Sequence, residues 1–253
     1  MKIMRVQKSG GEPVWAINEG DDVYAVEGDV YTAPKKGAKI GPVASVKMLS
    51  PIMPHNKVVV ILENWRDKSD RAGPSFIMKN VTARINPGET ILYPKIGKRV
   101  FFETELGIVI GKKAKHVSVE DAKNYIMGYT IHNDMTSFDF TVEVGMAPVV
   151  FGKGFDTFSM CGPCIATDVD PTKLTMRGRI NGEEFFETSS GKMLWNAYEL
   201  VSWVSSVTAL LPGDVISCGA PQGAMDRETM PGDTVTLVID EIGEISSPVV
   251  ADA

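Results

Sequence analysis

Short apolar runs that end at glycine, proline or aspartate recur along this chain, and they constrain its fold more than any other feature. The runs are VWAI, KVVVIL, TILYP, ELGIVIG, APVVFG, KLTMRGRING, GDVISCG and DTVTLVID. Most contain β-branched residues and are bounded by turn formers, which is typical of β-strands. Because this pattern does not alternate strands with helices, the sequence argues against a Rossmann or barrel fold.

Helical signals are fewer than strand signals. Residues 195–211 (WNAYELVSWVSSVTALL) repeat apolar positions every three to four residues and stop before Pro212, which predicts a helix. A shorter helix is predicted for the segment DAKNYIMGYT, which follows a cap-like Ser118, and a third helix could follow Asn64. The chain is therefore predicted to be a β-rich α+β protein.

Two prolines in the segment MLSPIMPHN mark a possible domain boundary near residues 48–55. We predict a small N-terminal β domain over residues 1–50 and a core domain over residues 51–253. The chain has 253 residues, of which 43% are apolar, so it can bury a sizeable core and is too apolar to be disordered.

Composition and charge argue against several classes of function. The net charge of −6 disfavours nucleic-acid binding, which needs clustered Lys and Arg, and the basic cluster GKKAKH is interpreted as a solvated loop. No apolar run approaches the roughly 20 residues that cross a bilayer, and the first residues lack the apolar region of a signal peptide. We therefore expect a cytoplasmic protein without membrane or nucleic-acid partners.

The three cysteines cannot all pair with one another, which indicates a reducing compartment. Cys161 and Cys164 form a C-G-P-C motif. The helix-opening context of a redox pair and the two further ligands that zinc requires are both missing from the sequence. We therefore interpret both cysteines as structural.

A pair of glutamates gives the sharpest chemical signal. Glu103 and Glu105 directly precede the apolar run LGIVIG, and alternation along a strand places both side chains on one face, about 7 Å apart. Two carboxylates this close repel each other unless a cation or basic groups neutralise them. Oxygen ligands alone favour a hard cation such as Mg²⁺, Ca²⁺ or Mn²⁺ over zinc, although a solvated pair at a sheet edge fits the same spacing.

Two further segments could complete such a site. Asp134 follows the strand-like GYTIHN, where a turn can expose a ligand, and Lys153 lies between two glycines, so its side chain is free to point towards an anion. His132 shares a strand face with Asp134, but we interpret it as a packed core histidine. His116 lies in a lysine-rich turn and is expected at the surface.

These motifs resemble those of the fumarylacetoacetate hydrolase family over roughly residues 51–250. The family's acidic pair corresponds to ETELGIVIGK, its G-Y-T-x-x-N-D motif to GYTIHND, and its K-x-F-D-x-F-x-x-x-G-P motif to KGFDTFSMCGP. The segments NGEEFFETSS and MPGDTVTLVIDEIGEISSPV fit as well. The resemblance implies a mixed β-sandwich roll of this family's type, and it makes the two cysteines incidental to a family turn.

The resemblance also implies a metal centre and a class of reaction. Glu103, Glu105 and Asp134 would bind Mg²⁺ or Mn²⁺, and Lys153 would help to hold a substrate oxyanion. Substrates of the family are 2-oxo acids or β-diketones, whose carbonyl group the metal polarises as an enolate forms. Members are typically homodimers, and the resemblance implies a homodimer here.

The chain departs from the family in the segment that activates water. Hydrolytic members carry a His–Glu pair in an N-[YW]-x-x-H-x-x-E segment, where this chain has Lys68 and Arg71. A protonated lysine is a poor general base. Lys68 could instead deliver a proton, the two cations could bind a substrate carboxylate, or the run could be a solvated turn; Asp67 or Asp70 could also act as the base.

Further departures affect contacts to the substrate. Phe138 replaces an arginine of the family's S-A-R-D motif, and the family's T-G-T-P turn becomes C-G-A-P at residues 218–221, which removes a hydroxyl. We expect the site at the mouth of the roll, with residues 64–78 as a mobile lid hinged near Gly73 and with Trp65 either lining the pocket or packed in the core.

Three functions stay open at this point. The first is C–C bond hydrolysis of an acylpyruvate-like ring-cleavage product. The second is decarboxylation, isomerisation, tautomerisation or dehydration of a 2-oxo acid, in which a metal-stabilised enolate forms and no attacking water is required. The third is a catalytically silent metal-binding homologue.

Overall fold

The computed structural model of the chain describes residues 1–65, 73–140 and 147–252. Strands dominate this part of the chain. They are β1 (Lys2–Gln7), β2 (Val14–Glu19), β3 (Asp22–Glu27), β4 (Lys35–Pro42), β5 (Lys47–Leu49), β6 (Val58–Ile61), β7 (Phe76–Met78), β8 (Arg84–Ile85), β9 (Ile91–Tyr93), β10 (Val100–Phe101), β11 (Thr104–Ile110), β12 (Ile126–Asp134), β13 (Thr136–Ser137), β14 (Ser159–Ala166), β15 (Thr175–Ile180), β16 (Glu183–Ser189), β17 (Val215–Ser217), β18 (Thr234–Ile239) and β19 (Gly243–Ala251). The helices are α1 (Ala147–Gly152) and α2 (Ala197–Val207), and 3-10 turns lie at Val43–Ser45, Val81–Ala83, Ala122–Tyr125, Phe138–Phe140 and Ser190–Lys192.

Two packed sheets organise the described strands. The larger sheet has the order β4-β3-β2-β1-β14-β12-β11-β17-β6-β7, with β5 paired to β1 and β8 paired to β14. The smaller sheet has the order β16-β15-β18-β19-β9, and β10 pairs with β13. Leu106, Ile131 and Met160 of the larger sheet share one buried cluster with Leu237 and Ile245 of the smaller sheet. This architecture confirms the prediction of a β-rich α+β fold.

Strands β11 and β12 form the centre of the larger sheet. Strand β11 is buried along its whole length, with β12 on one side and β17 on the other. The antiparallel register places Glu105 opposite His132, and the Asp134 N–H donates to the Glu103 carbonyl at 3.2 Å. Because opposite residues in a ladder point to the same face, these four side chains lie together at one end of the strand pair.

Helix α2 confirms the helix predicted within residues 195–211. The Asn196 side chain accepts the N–H groups of Tyr198 and Glu199, and the Glu199 carboxylate accepts the Asn196 N–H, which completes a capping box. The apolar side of the helix, including Leu200, is buried. No helix in the described part of the chain is long and apolar enough to span a membrane.

The helix predicted for the segment DAKNYIMGYT is wrong. A single 3-10 turn, Ala122–Tyr125, forms there, and strand β12 begins at Ile126. The pairing of β12 with β11 on one side and β14 on the other outweighs the local helical pattern. A Cβ atom at Gly128 would lie 2.5 Å from the Ala166 carbonyl oxygen, so the glycine allows this close pairing.

The strand predicted for APVVFG is also wrong, because this segment forms helix α1. The helical pattern continues into Lys153, whose N–H donates to the Val149 carbonyl at 3.1 Å. Val150 and Phe151 are 51% and 54% exposed, unlike the apolar residues of the central strands. A short apolar run does not distinguish a strand from a helical turn by composition alone.

The N-terminal strands continue the larger sheet. Lys2 and Ile3 of β1 pair with Ala166 and Ile165 of β14, and β5 returns to pair with β1. Backbone hydrogen bonds therefore connect the first 50 residues directly to the rest of the chain. The division into two domains near residues 48–55 stays a prediction.

Candidate metal centre

Three buried carboxylates converge at the end of the β11–β12 pair. Glu103 precedes β11, Glu105 lies in it, and Asp134 ends β12. The three residues are 3%, 0% and 0% exposed, and one carboxylate oxygen from each lies within 4.8 Å of the other two. The structure thus brings together the three side chains that the sequence singled out, which excludes the solvated edge pair as their description.

Glu105 uses only one of its two carboxylate oxygens within the protein. Its Oε2 accepts the hydroxyl of Ser217 and the N–H of Gly219, the latter at 3.0 Å. Its Oε1 is buried and has no hydrogen-bond partner. Gly219 has φ +85°, and a Cβ atom there would lie 2.8 Å from the Ile61 carbonyl oxygen, so this donor position requires glycine.

Lys153 follows helix α1 and reaches two of the three carboxylates. Its Nζ donates to Glu103 Oε2 at 2.8 Å, to Thr136 Oγ1 at 2.6 Å and to Asp134 Oδ2. The Thr136 hydroxyl in turn donates to Glu103 Oε1 at 2.9 Å. All three hydrogens of the ammonium group are therefore used to orient Glu103, Asp134 and Thr136.

A second buried lysine, which the sequence analysis missed, holds the other oxygen of Asp134. The Lys79 Nζ lies 2.8 Å from Asp134 Oδ1 and donates to the Lys153 carbonyl at 2.6 Å. Its side chain is fully buried. Lys79 follows the short strand β7, and nothing in the sequence around it separates it from an ordinary surface lysine.

Burial and neighbouring charges shift the pKa values of these groups in different directions. Burial raises the pKa of Glu103, although the charge of Lys153 opposes this effect. Burial and repulsion from Asp134 and Glu103 raise the pKa of Glu105 well above its usual value. Burial would raise the pKa of Asp134 as well, but Lys153 and Lys79 outweigh it and hold that pKa low. The carboxylates outweigh burial at Lys153 and raise its pKa. Without a further cation, Glu105 is the group that favours protonation most.

These observations fit a hard divalent cation. When the three carboxylates and the two lysines are all ionised, one negative charge is left in excess among them. The unpartnered Oε1 of Glu105 offers a lone pair that no protein donor uses. A site made of carboxylate oxygens alone matches Mg²⁺ or Mn²⁺ better than zinc. Glu103, Glu105 and Asp134 are the residues that would hold the ion.

His132 is buried next to the carboxylates, as the core interpretation predicted. Its Nδ1 lies 2.7 Å from the Ser217 Oγ and its Nε2 lies 2.9 Å from the Ser159 Oγ. Burial lowers the pKa of His132 to about 3, so the ring is neutral at ordinary pH. His116, by contrast, is exposed, as predicted.

A cavity of about 910 Å³ opens onto the carboxylates. Glu103, Glu105 and Lys153 line it together with Trp65 and Phe138, whereas Asp134 is not among its lining residues. Trp65 both lines the cavity and packs against the buried core cluster, and its indole N–H donates to the Gly219 carbonyl at 2.8 Å. A small molecule could therefore reach the carboxylates through this cavity.

Comparison with known proteins decides the family. A family model described as fumarylacetoacetate (FAA) hydrolase C-terminal matches residues 56–250, and a model described as Rv2993c-like, N-terminal matches residues 1–51. The chain belongs to the fumarylacetoacetate hydrolase family. This agrees with the motifs of the sequence, and it places the buried triad within a family of enzymes.

Relatives in the fumarylacetoacetate hydrolase family differ in the reaction that their names give. The mitochondrial oxaloacetate tautomerase fahd2 of Xenopus laevis is 33% identical over 82% of this chain and 69% of its own length. A solved 5-carboxymethyl-2-hydroxymuconate delta-isomerase from Mycobacterium smegmatis is 32% identical, with a TM-score of 0.89 and full coverage of both chains. A fumarylacetoacetate hydrolase from Exiguobacterium antarcticum is 26% identical, with a TM-score of 0.87 and full coverage of both chains.

The segment in which this family member departs from the hydrolytic pattern lies largely outside the described residues. Lys68 and Arg71 belong to it, as do Asp67 and Asp70. The predicted roles of Lys68 therefore stay predictions. The lid predicted over residues 64–78 stays a prediction for residues 66–72, whereas Phe76–Met78 at its end form strand β7 and pair with β6 in the larger sheet. Asn64, just before this segment, is held on both sides of its amide group. It donates to the Cys218 carbonyl at 2.9 Å and accepts the N–H of Trp195 at 2.9 Å.

The C-G-P-C motif lies within strand β14 and away from the cavity wall. Cys161 and Cys164 are both buried and unpaired by disulfide. Burial raises the pKa of the Cys161 thiol to about 12 and that of the Cys164 thiol to about 11. Thiols this hard to ionise are poor nucleophiles and poor metal ligands, which agrees with the structural interpretation.

Proposed function

We propose that this chain is a divalent-metal-dependent enzyme that isomerises or tautomerises a small 2-oxo acid. Glu103, Glu105 and Asp134 would bind the metal, which we propose to be Mg²⁺ or Mn²⁺. The observation that carries the proposal is the buried carboxylate triad, of which Glu103 and Glu105 line the cavity, with one Glu105 oxygen left unpartnered.

The charge of the site favours an anionic substrate once the metal is present. A bound divalent cation would supply Lewis-acid polarisation of a substrate carbonyl. With the three carboxylates and both lysines ionised, it would also change their summed charge from an excess of one negative to an excess of one positive. A buried site with this charge attracts a carboxylate, which supports a 2-oxo acid as the substrate class.

Lys153 is the residue proposed to hold the substrate oxygen on which negative charge develops. Two of its three hydrogen bonds go to carboxylates, and the third goes to the neutral hydroxyl of Thr136. The hydroxyl is the weakest acceptor of the three. A substrate oxyanion could therefore replace Thr136 as the third partner without removing Lys153 from Glu103 and Asp134.

Isomerisation is favoured over hydrolysis by the replacement of the family's His–Glu pair with Lys68 and Arg71. Hydrolysis requires a base that activates water, and an imidazole is the commonest choice. His132 is occupied at both ring nitrogens, and no histidine lines the cavity among the residues that the structure describes. Moving a proton between carbon and oxygen requires no attacking water, and the names of the tautomerase and isomerase relatives support the same reaction class.

Hydrolysis of a C–C bond in an acylpyruvate-like compound is the second candidate. The likeness to the fumarylacetoacetate hydrolase of Exiguobacterium antarcticum supports it. In that case the water-activating base would come from residues 66–72, where Asp67 and Asp70 are the carboxylates available.

The two candidates give different products from defined substrates. We expect purified protein with Mg²⁺ or Mn²⁺ to accelerate the enol-to-keto conversion of oxaloacetate or of an unsaturated 2-oxo diacid, followed by ultraviolet absorbance, without cleavage. Lys153→Met, which keeps the chain length but removes the charge, should lose most of this activity. Acid products from acylpyruvates would instead identify a hydrolase, and CO₂ release would identify a decarboxylase. A protein that binds metal and turns over none of these compounds would be the silent homologue.

The remaining expectations concern the setting of the enzyme. A homodimer and a role in the catabolism of aromatic ring-cleavage products stay predictions from the family resemblance, and a cytoplasmic location stays a prediction from the composition of the sequence. Size-exclusion chromatography with light scattering would test the homodimer.

A further inference from the structure

A chain of buried hydrogen bonds leads from Glu105 away from the cavity. Glu105 Oε2 contacts the Ser217 hydroxyl, and the same hydroxyl lies 2.7 Å from His132 Nδ1. His132 Nε2 lies 2.9 Å from the Ser159 hydroxyl. Glu105, His132 and Ser217 are fully buried, and Ser159 is 2% exposed, so water does not compete with these contacts.

The residues come from four strands that lie side by side in the larger sheet, in the order β14-β12-β11-β17. Glu105 is on β11, His132 on β12, Ser159 on β14 and Ser217 on β17. The two contacts at opposite ring nitrogens fix the plane of the imidazole. This chain of hydrogen bonds through Glu105, Ser217, His132 and Ser159, called the relay below, therefore lies in the centre of the sheet rather than in a loop.

The direction of the hydrogens in this relay follows from the acceptor at its end. As a metal ligand, Glu105 is ionised, and an ionised carboxylate only accepts hydrogen bonds. The single hydrogen of Ser217 is therefore donated to Glu105. The Ser217 oxygen can then only accept from His132, so His132 Nδ1 carries a hydrogen and donates it to Ser217.

We propose that His132 is a positioning residue for the metal centre, acting through Ser217. By donating to the Ser217 oxygen, His132 holds Ser217 in place and polarises its hydroxyl towards Glu105 Oε2, which leaves Oε1 as the oxygen that would bind the ion. The inference rests on the proposed function in one respect, because it assumes that Glu105 is a metal ligand. The Gly219 N–H, which also donates to Oε2, fixes the same orientation of the carboxylate.

A purely structural role for His132 predicts a different set of effects. If His132 only fills space, a ring of similar volume should replace it, and a smaller side chain should not. If His132 acts as the donor to Ser217, a side chain that keeps an N–H should replace it, and a ring without that N–H should not. His132→Phe keeps a ring and removes the donor, whereas His132→Asn keeps an N–H at the position of Nδ1 and loses volume.

The test measures Mn²⁺ binding by titration calorimetry, with thermal unfolding in EDTA as the separate measure of stability. Mutating a residue that hydrogen-bonds to a metal ligand typically lowers the affinity for the metal about 10- to 100-fold. We expect His132→Phe to weaken Mn²⁺ binding at least about 10-fold and His132→Asn to stay within about 3-fold of the wild type. Equal affinities for wild type and His132→Phe, or a larger loss in His132→Asn than in His132→Phe, would overturn the proposal.

Ser217 variants test the same relay where His132→Phe does not fold. Ser217→Ala should weaken Mn²⁺ binding at least about 10-fold, and Ser217→Thr, which keeps the hydroxyl, should restore most of it. Because the two residues act in series, adding His132→Phe to Ser217→Ala should cause no further loss of affinity. Additive losses would show that His132 acts by another route and would overturn the proposal.

The matched control is Thr130→Val on the same face of strand β12. Thr130 is buried, and its hydroxyl donates to the Gly162 carbonyl at 3.1 Å rather than to a residue of the relay. The Thr130→Val variant should have a lower unfolding temperature in EDTA than wild type and an unchanged affinity for Mn²⁺. Wild-type protein that binds no Mn²⁺ would overturn both this inference and the proposed function, whereas wild-type protein that binds Mn²⁺ but turns over no substrate would overturn the proposed function alone.

Discussion

The two oxygens of Glu105 have different surroundings, and this difference defines the candidate site. One oxygen is held by two donors, and the other is buried without a partner. A buried carboxylate with a free oxygen is unfavourable unless a cation compensates it. The same geometry that would make Glu105 a good ligand therefore makes it a source of instability in the metal-free protein.

Replacing Glu105 with glutamine should stabilise the metal-free protein at neutral pH. Because the pKa of Glu105 is raised from its usual 4.5 in the folded state, the folded protein binds this proton more strongly than the unfolded chain does. The stability that this group contributes is present below pH 4.5 and is lost as the pH rises. In EDTA at pH 7.5 we expect Glu105→Gln to unfold at a temperature about 2–4 °C higher than wild type, which corresponds to a gain of roughly 1 kcal/mol in the free energy of unfolding. At pH 4 we expect no difference between the two proteins. A variant less stable than wild type at pH 7.5 would contradict this account.

His132 should make the protein sensitive to acid. Its pKa is lowered by burial from 6.5 to about 3, so the unfolded chain takes up a proton between these values and the folded chain does not. Stability should therefore fall as the pH decreases from 6.5 towards 3, by up to about 1.4 kcal/mol per pH unit from this residue. The free energy of unfolding, measured with urea at several pH values in this range, should fall less steeply with decreasing pH for His132→Asn than for wild type. Parallel slopes for the two proteins would argue against a buried neutral histidine.

Sequence reasoning found the residues whose positions follow from strand periodicity and missed those that depend on the order of strands in the sheet. Glu103 and Glu105 are two residues apart where the chain enters strand β11, so alternation alone places them together. Ser217 reaches Glu105 because β17 lies next to β11, although more than a hundred residues separate them. Lys79 reaches Asp134 in the same indirect way. No local pattern carries that information.

At the level of elements, the strength of the local signal separates correct from incorrect predictions. Helix α2 has a cap, a regular apolar period and a terminating proline, and these signals agree with one another. The segment that became β12 has a cap-like Ser118 whose hydroxyl accepts the Asp121 N–H at 3.2 Å, yet this closes only one turn before the chain enters the sheet. Pairing with neighbouring strands decided its structure, and that pairing is not visible in a single sequence.

The capping box of helix α2 should contribute measurably to stability. Asn196 accepts two N–H groups that otherwise have no partner within the helix. We expect Asn196→Ala to lower the free energy of unfolding by about 1 kcal/mol, which corresponds to about 2–4 °C in Tm. Thermal unfolding by circular dichroism would measure this. Ser189→Ala, which removes an exposed cap of a single 3-10 turn, is the control and should change Tm less.

At the level of the whole molecule, the larger sheet joins the N-terminal strands to the strands that carry the candidate site. Ile3 of β1 and Ile165 of β14 lie in the same buried cluster. We therefore expect one cooperative transition in scanning calorimetry, and we expect deletion of residues 1–50 to lower the unfolding temperature by exposing Ile165. Two resolved transitions, with the second unchanged by the deletion, would instead show that the N-terminal region is an independent domain.

Binding of one divalent ion per chain by the three carboxylates is the central claim, and titration calorimetry with Mn²⁺ tests it most directly. Wild-type protein stripped with EDTA should bind Mn²⁺ at one site per chain, with an affinity that increases with pH because Glu105 releases a proton on binding. Glu105→Gln should show no binding under the same conditions. Wild-type protein without a binding isotherm, or a Glu105→Gln variant that binds as tightly as wild type, would contradict the account.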